Sequence, residues 1–322
     1  MQLSIIIAAY NVEKLIEKCV LSSFDEKTID QVEILVVDDG STDQTRKILD
    51  RLQTTIPHLK IIYQKNSGLG ASRNIGLRSA KGTYVWMIDG DDFLEPDIIK
   101  VIFENIKENN DIYCVNYNVT NQNGHVLSKT YPNHYLPNVI SGTQYYQVNY
   151  EKNYTWQYIF RRALFLENDI WFKERINMQD SEILPKILFH TNTVKYIDEV
   201  GYNYVQYQHS YTNTQNPEKR FQYFHSIIEV RDSLQDFAIS VKNENPDLTE
   251  ALQKKIESLN QIVFNHLVFY KYKNKDFLRN IELLKKASLF PINADVKGKM
   301  KVIKLTLNHF PILTNSLLNL LK

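Results

Sequence analysis

Three carboxylates in four residues, Asp89-Gly90-Asp91-Asp92, follow the apolar run Tyr84-Val85-Trp86-Met87-Ile88. The run is too short for a membrane span, and its β-branched and aromatic content is that of a buried strand. Acids that end such a strand sit at the carboxyl edge of a sheet, where open α/β sheets bind their ligands. Like charges so close repel unless a cation or hydrogen-bond donors balance them. A hard divalent ion, Mg²⁺ or Mn²⁺, takes carboxylate oxygens together with substrate phosphates. The plainer alternative is an acidic turn in which Asp92 caps the helix beginning near Glu95-Pro96-Asp97, since Asp and Gly are ordinary turn residues.

Elements able to hold such a site alternate through the first 120 residues. Leu3-Ser4-Ile5-Ile6-Ile7-Ala8-Ala9 reads as a buried strand, followed by an amphipathic segment over 12–24. Val32-Glu33-Ile34-Leu35-Val36-Val37 is a second strand, ending in Asp38-Asp39-Gly40-Ser41-Thr42-Asp43. The helix expected over 44–54 has Ser41 or Thr42 as its cap. Strands over 59–63, 83–88 and 111–119 and helices over 71–79 and 96–107 complete the pattern. Continuously apolar strands separated by helices predict a parallel sheet covered on both faces. From about Asn121 the chain turns polar and Tyr-rich, with a hairpin signal at Gln122-Asn123-Gly124-His125 and helices over 141–150 and 180–190. Beyond Asn216-Pro217 it reads as helical throughout, with Ile256, Leu259, Ile262, Val263, Leu267 and Tyr270 at helical spacing. The expected organisation is a catalytic domain over 1–216, in halves 1–120 and 121–216, and a helical region over 217–322.

A chain of 322 residues buries a substantial core, enough for one large domain and an appendage. The net charge of +1 hides an asymmetry: residues 251–322 carry 13 Lys+Arg against 4 Asp+Glu, a surplus of +9 that leaves −8 on residues 1–250. An acidic body with a basic tail suits an anionic partner reached from the tail, and no nucleic-acid partner is expected. Lys297, Lys299, Lys301 and Lys304 precede an apolar stretch broken by Pro311, which suits an anionic membrane surface contacted through 297–322. The alternative is that these leucines pack on the body or form a homodimer. Cys19 and Cys114 are too few for a disulfide framework. The N-terminus lacks the basic segment and cleavage pattern of a signal peptide, and no apolar run reaches the length of a span. A cytoplasmic location, peripheral on the inner face of the membrane, is the expectation.

Fingerprints for phosphate chemistry narrow the choice. Gly68-Leu69-Gly70-Ala71-Ser72-Arg73 begins like a dinucleotide fingerprint, but Arg73 stands where the third glycine belongs and the segment follows the third strand. A P-loop, zinc-ligand spacing and a nucleophile elbow are all missing from the sequence. What remains is acids ending strands two and four, with a basic, glycine-containing loop between them. That set suits a nucleoside diphosphate bound through a metal. The succession Ser4-Ile5-Ile6-Ile7-Ala8-Ala9-Tyr10-Asn11, Val37-Asp38-Asp39-Gly40-Ser41-Thr42-Asp43, Asn66-Ser67-Gly68-Leu69-Gly70-Ala71-Ser72-Arg73-Asn74-Ile75-Gly76 and Ile88-Asp89-Gly90-Asp91-Asp92 resembles the family-2 glycosyltransferases. The resemblance is strong over 1–120, thinner to about 215, and absent beyond. It implies an α/β fold of the GT-A type, an inverting reaction and a divalent metal (Mn²⁺ or Mg²⁺).

Roles carry over position by position. The resemblance implies donor binding by Ala8, Tyr10, Asn11, Asp38, Asp39, Arg73, Asp89 and Gly90. The Tyr10 ring would pack on a nucleoside base, a carboxylate at 38–39 would accept the imide N–H of uracil, and Arg73 would lie over the base or diphosphate. Asp91 is the expected metal ligand, with Asp89, nearer the ribose, and His209, in Tyr207-Gln208-His209-Ser210, as further candidate ligands. On the acceptor side, Trp156 and Arg161 precede Met178-Gln179-Asp180-Ser181-Glu182. Asp180 is the expected general base, with Glu182 as fallback; a helix N-terminus favours a carboxylate there. Gln179 departs from the acidic residue usual at that place, so a catalytically silent nucleotide- or glycan-binding protein stays open. A sugar-1-phosphate nucleotidyltransferase is less favoured, because Ala8-Ala9-Tyr10-Asn11 is not a basic, glycine-rich loop. The expected activity is hexosyl transfer from a nucleoside diphosphate sugar, a UDP-sugar, to a glycan or lipid-linked glycan in bacterial surface polysaccharide synthesis.

Overall fold

The structure, a computed structural model, describes residues 1–28, 30–130, 137–151, 154–206 and 216–321. Its described residues divide between two compact units, Met1–Arg175 with Gln179–Gln208, and Ile176–Met178 with His209–Lys322.

The first unit is built on a sheet of β1 (Leu3–Ala9), β2 (Val32–Asp38), β3 (Leu59–Tyr63), β4 (Tyr84–Asp89), β5 (Phe93–Leu94), β6 (Ile112–Thr120), β7 (Val126–Thr130), β8 (Val139–Ile140), β9 (Tyr158–Arg161) and β10 (Val194–Val205). The strand order is β3-β2-β1-β4-β9-β6-β10-β5, with β7 on β6 and β8 on β10. β3, β2, β1 and β4 pair in parallel, as do β6 and β10. β9 runs antiparallel between β4 and β6. β1 and β2 are buried at all seven positions, the mark of strands covered on both faces. The mostly parallel sheet flanked by helices is the architecture that the spacing of apolar runs predicts. Because the order runs outward from β1 to β2 on one side and to β4 on the other, the carboxyl ends of β1 and β4 flank the point where open sheets bind ligands.

Helices α1 (Ile16–Ser22), α2 (Thr45–Gln53), α3 (Leu69–Ser79), α4 (Ile98–Ile106), α5 (Gly142–Asn149), α6 (Ala163–Leu166) and α7 (Gln179–Phe189) accompany the sheet. α1 starts later than the segment expected over 12–24. Asn11 takes a left-handed φ of 53°, and the amides of Val12 and Glu13 donate to the side chains of Thr45 and Asp43, which holds that stretch out of a helix. The expected cap of α2 is corrected too: Ser41 and Thr42 bond to Asn11 instead, and Gln44 stands at the N-cap without a side-chain bond. Asp92 does not cap α4, whose N-cap is Asp97. The hairpin signal at 122–125 joins β6 to β7, and Ser141 forms the reciprocal capping box of α5 with Gln144.

The second unit holds α8 (Pro217–Val241), α9 (Pro246–Phe269), α10 (Asn274–Lys286), α11 (Lys299–His309) and α12 (Pro311–Leu321). α8 and α9 open alike: Asn216 and Asn245 accept from first-turn amides, and a proline takes the first helical position, where its missing N–H costs nothing. Ile256, Leu259, Val263 and Leu267 are buried on α9, which ends one residue before Tyr270. No described helix is long and apolar enough to cross a membrane.

Candidate active site

β1 and β4 end side by side. Gly90 donates its amide to the Ala8 carbonyl at 2.9 Å, and a Cβ on Gly90 would stand 2.8 Å from that oxygen. Only a residue without a side chain lets the acidic turn cross the end of β1 so closely. Beyond Ala9, the loops after β1 and β2 are laced together. Asn11 Oδ1 accepts from the Thr42 amide at 2.8 Å and the Asn11 amide donates to Ser41 Oγ at 3.0 Å. Tyr10 stands exposed at the rim. With Asn11, Glu13, Lys14, Asp43 and Asp91 it lines a cleft of about 380 Å³. A larger cleft of about 560 Å³, bounded by Leu21, Phe24, Leu94 and Ile98 among others, contains none of the site carboxylates, so chemistry and not size locates the site.

Asp38 and Asp39 are both buried. Asp38 Oδ1 accepts from the Ser41 amide. Asp39 accepts from the Ser67 amide at 2.7 Å, the Gly68 amide at 2.8 Å and Gln64 Nε2 at 2.6 Å. It thereby ties the loop before α3 to the end of β2, and α3 in turn delivers Arg73.

Arg73, expected over a base or diphosphate, has its guanidinium between two carboxylates. Nη1 meets Asp180 Oδ1 at 2.5 Å and Nη2 meets Asp89 Oδ1 at 2.8 Å, with the Arg73 side chain only 1% exposed. A buried, doubly paired arginine is no solvated helix residue. Asp180 lies in the first turn of α7 and is also held by Thr155, whose hydroxyl donates to Oδ1 at 3.1 Å and whose amide donates to Oδ2 at 3.3 Å. Asp89 and Asp180, 91 residues apart in sequence, therefore converge on one cation. Glu182, the fallback base, is buried and ion-paired with Lys186 one turn on.

The three acids after β4 differ in surroundings. Asp92 is buried, accepting from Tyr202 Oη at 2.6 Å and the Val205 amide at 2.7 Å. Burial and the neighbouring acids push its carboxyl well up. Burial also raises the Asp89 carboxyl, with Arg73 opposing that rise. Asp91 is pushed up to about 6 by burial and by the Asp89 charge, and no described side chain bonds to its carboxylate. A carboxylate raised by burial and repulsion, with no described side chain to offset its charge, is one that a bound cation would stabilise. Among the described residues no three His, Cys, Asp or Glu side chains form a ligand set. The residues present thus fit a hard ion completed by phosphate oxygens and water, the usual Mg²⁺ mode, and not an all-protein cage. His209 lies outside the described residues.

The two acceptor-side candidates stand in different places. Arg161 pairs in register with Tyr84, at the start of β4, about 16 Å of strand away from Asp89. It binds Asp111 at 3.2 Å and the Asn109 carbonyl, so it braces the opposite edge of the sheet. Trp156 is 3% exposed, stacked on Tyr202 with centroids 4.4 Å apart and on Tyr154 at 5.0 Å. The member of that stack open to solvent is Tyr154, 41% exposed. Tyr202, Thr155 and Tyr154 escaped the reading of the sequence. An adjacent Tyr154-Thr155-Trp156 was the only signal for two of them.

A family model described as glycosyl transferase family 2 matches residues 4–175. The uncharacterized glycosyltransferase EpsJ of Bacillus subtilis is 30% identical over 215 residues, covering 65% of this chain and 62% of EpsJ. The chondroitin synthase of Escherichia coli is 37% identical over 131 residues, covering 40% of this chain and 19% of that protein. The chain therefore spans less than two thirds of either relative. Among solved structures, S. aureus TarS 1-349 matches with a TM-score of 0.67 at 20% identity, covering 99% of this chain and 90% of that one. That likeness is one of fold, of the GT-A type.

Proposed function

The chain belongs to glycosyl transferase family 2, and from that premise we propose that it moves a sugar from a nucleoside diphosphate sugar, a UDP-sugar, to a glycan hydroxyl with inversion. The observation that carries the reading is the convergence of Asp89 and Asp180 on Arg73, beside Asp91, at the carboxyl edge between β1 and β4. The base and ribose of the donor would lie along Tyr10, Asn11, Asp38 and Asp39, with the diphosphate directed toward Asp89 and Asp91. Asp91 would hold a divalent ion, which when bound would offset charge on the departing diphosphate.

Asp180 would accept the proton of the acceptor hydroxyl. Its Oδ1 already takes two hydrogen bonds, from Arg73 and Thr155, whereas Oδ2 takes one of 3.3 Å; Oδ2 is the oxygen left to receive a proton. Arg73 and Thr155 fix the plane of that carboxylate so that it meets the hydroxyl without reorganising. Tyr154, exposed beside them, offers a face on which an acceptor sugar can pack. The relation to a chondroitin synthase supports a polysaccharide as the acceptor class, with bacterial surface polysaccharide synthesis as its setting.

A donor screen tests the proposal: UDP-, GDP- and dTDP-sugars with Mn²⁺ and crude acceptor glycans, read as release of nucleoside diphosphate. Acceptor-dependent release from a UDP-sugar is expected. Binding of UDP without release from any donor sugar would favour the silent binding protein instead.

A further inference from the structure

The two last helices turn most of their large apolar side chains outward. On α12, Thr314, Asn315 and Leu318 are buried, while Leu313, Leu317, Leu320 and Leu321, which share one face at helical spacing, are 53–85% exposed. The inward side is held by polar bonds. Asn315 Nδ2 donates to the Tyr272 carbonyl and to Asn274 Oδ1, and Asn319 Nδ2 donates to the Tyr272 carbonyl at 2.7 Å. On α11 the buried side chain is Leu307, and half-buried Asn308 exchanges two hydrogen bonds with the backbone of Ile292, while Val302, Leu305, and Phe310 at the junction with α12, face outward. A helix folded in water turns its apolar stripe to the core. One that turns asparagines inward and leucines outward has an apolar medium, or another protein, on its outer side.

Charge decides between those occupants. Residues 296–321 contain four lysines and no acidic residue. Lys297, Lys299 and Lys301 are exposed beside the apolar face, whereas Lys304 is turned back to the Ala294 carbonyl. A second copy docked through the same face would set these lysines against their own kind, because a two-fold contact pairs a patch with itself. Lipid phosphates complement them. Each helix has 11 residues, far short of a span, so on a membrane the pair would lie in the interface and not cross it.

We propose that the α11–α12 hairpin docks this chain on an anionic lipid surface, with the leucine face in the acyl boundary and Lys297, Lys299 and Lys301 at the phosphates. The apolar docking stretch is thereby narrowed, since Leu307 and Leu318 are buried within the unit. The proposal does not depend on which sugar is moved, or on whether one is.

Vesicle flotation with the full chain tests it, comparing phosphatidylcholine vesicles with vesicles that also contain phosphatidylglycerol. Binding to the anionic vesicles only, weakened by salt, is expected. Leu317→Gln/Leu320→Gln/Leu321→Gln should abolish it without altering the circular dichroism, since these side chains are exposed. Lys297→Gln/Lys299→Gln/Lys301→Gln should weaken it on the order of 100-fold at low salt. The idea is overturned by a wild-type chain that ignores anionic vesicles at low salt, or by binding that survives both triple variants. A leucine-dependent dimer that does not bind vesicles, seen by sedimentation velocity, would also overturn it and assign the face to a second copy.

Discussion

At Asp91, the charge that the proposed metal site requires costs stability. Its carboxyl is pushed up to about 6 by burial and by Asp89, so the folded chain binds that proton more tightly than the unfolded one, whose carboxyl titrates near its ordinary value. The cost of the charge is absent well below pH 4 and complete above about pH 6. Asp91→Asn removes it, and thermal unfolding of the metal-free protein should show a gain of about 1–3 kcal/mol above pH 6, after allowance for partial exposure, and none below about pH 4. An unchanged Tm at neutral pH would mean that solvent already relieves the charge. Asp180→Asn should act differently, because an amide oxygen still accepts from Arg73 and Thr155. Tm and donor affinity should hold while transfer falls by about 10²–10⁴-fold; near-normal transfer would remove Asp180 from the role. Asp38, Asp39, Arg73 and the Asp89–Asp92 cluster were legible because each belongs to a short motif at an element's end. Tyr202, which orients Asp92 from 110 residues away, and Thr155, which holds Asp180, were not, since contacts so distant in sequence leave no local pattern.

Among the elements, α3 sets the position of Arg73, and its seat on the sheet is tight. A Cβ on Gly76 would come within 2.3 Å of Ile6 Cγ2 on β1. Gly76→Ala is therefore expected to push α3 off β1, costing about 1–3 kcal/mol of overpacking and displacing the guanidinium that joins Asp89 to Asp180. Denaturant unfolding and the transfer rate should both register the change; full stability would show that Ile6 rotates away freely. The central strands were readable because burial on both faces makes them continuously apolar. β9 was less so. Its residues 158–161 lie next to the aromatic Trp156 and carry an arginine, which read as an acceptor-binding stretch, whereas antiparallel pairing with β4 and β6 makes it a sheet strand whose arginine braces the far edge. The start of α1 and the cap of α2 were misjudged for one reason: the segments after β1 and β2 bond to each other, through the amides of Asn11, Val12 and Glu13 on one side and the Thr42 amide on the other.

Across the whole molecule, the units differ in charge and in response to acid. In the helical unit His266 is buried against Phe224 and Tyr270, with Tyr272 Oη at its Nδ1. Burial first, and the nearby Arg220 second, lower it to about 4. With the folded value depressed below the ordinary 6.5, its contribution to stability is whole above pH 6.5 and is lost as pH falls toward 4, by about 2–3 kcal/mol. Urea unfolding followed by helical ellipticity should show that slope, and His266→Leu should flatten it; an unchanged slope would place the acid sensitivity elsewhere. Residues 1–208 carry 21 Lys+Arg against 26 Asp+Glu, a net −5 on the half with the carboxylate edge, where a metal-bound diphosphate is the proposed ligand. Calorimetric titration of UDP into the wild-type chain and Asp91→Asn, each with and without Mn²⁺, tests that claim most directly. UDP binding that Mn²⁺ strengthens in the wild type but not in Asp91→Asn is the predicted result. Equal UDP affinity in all four titrations, or no binding in any, would contradict it.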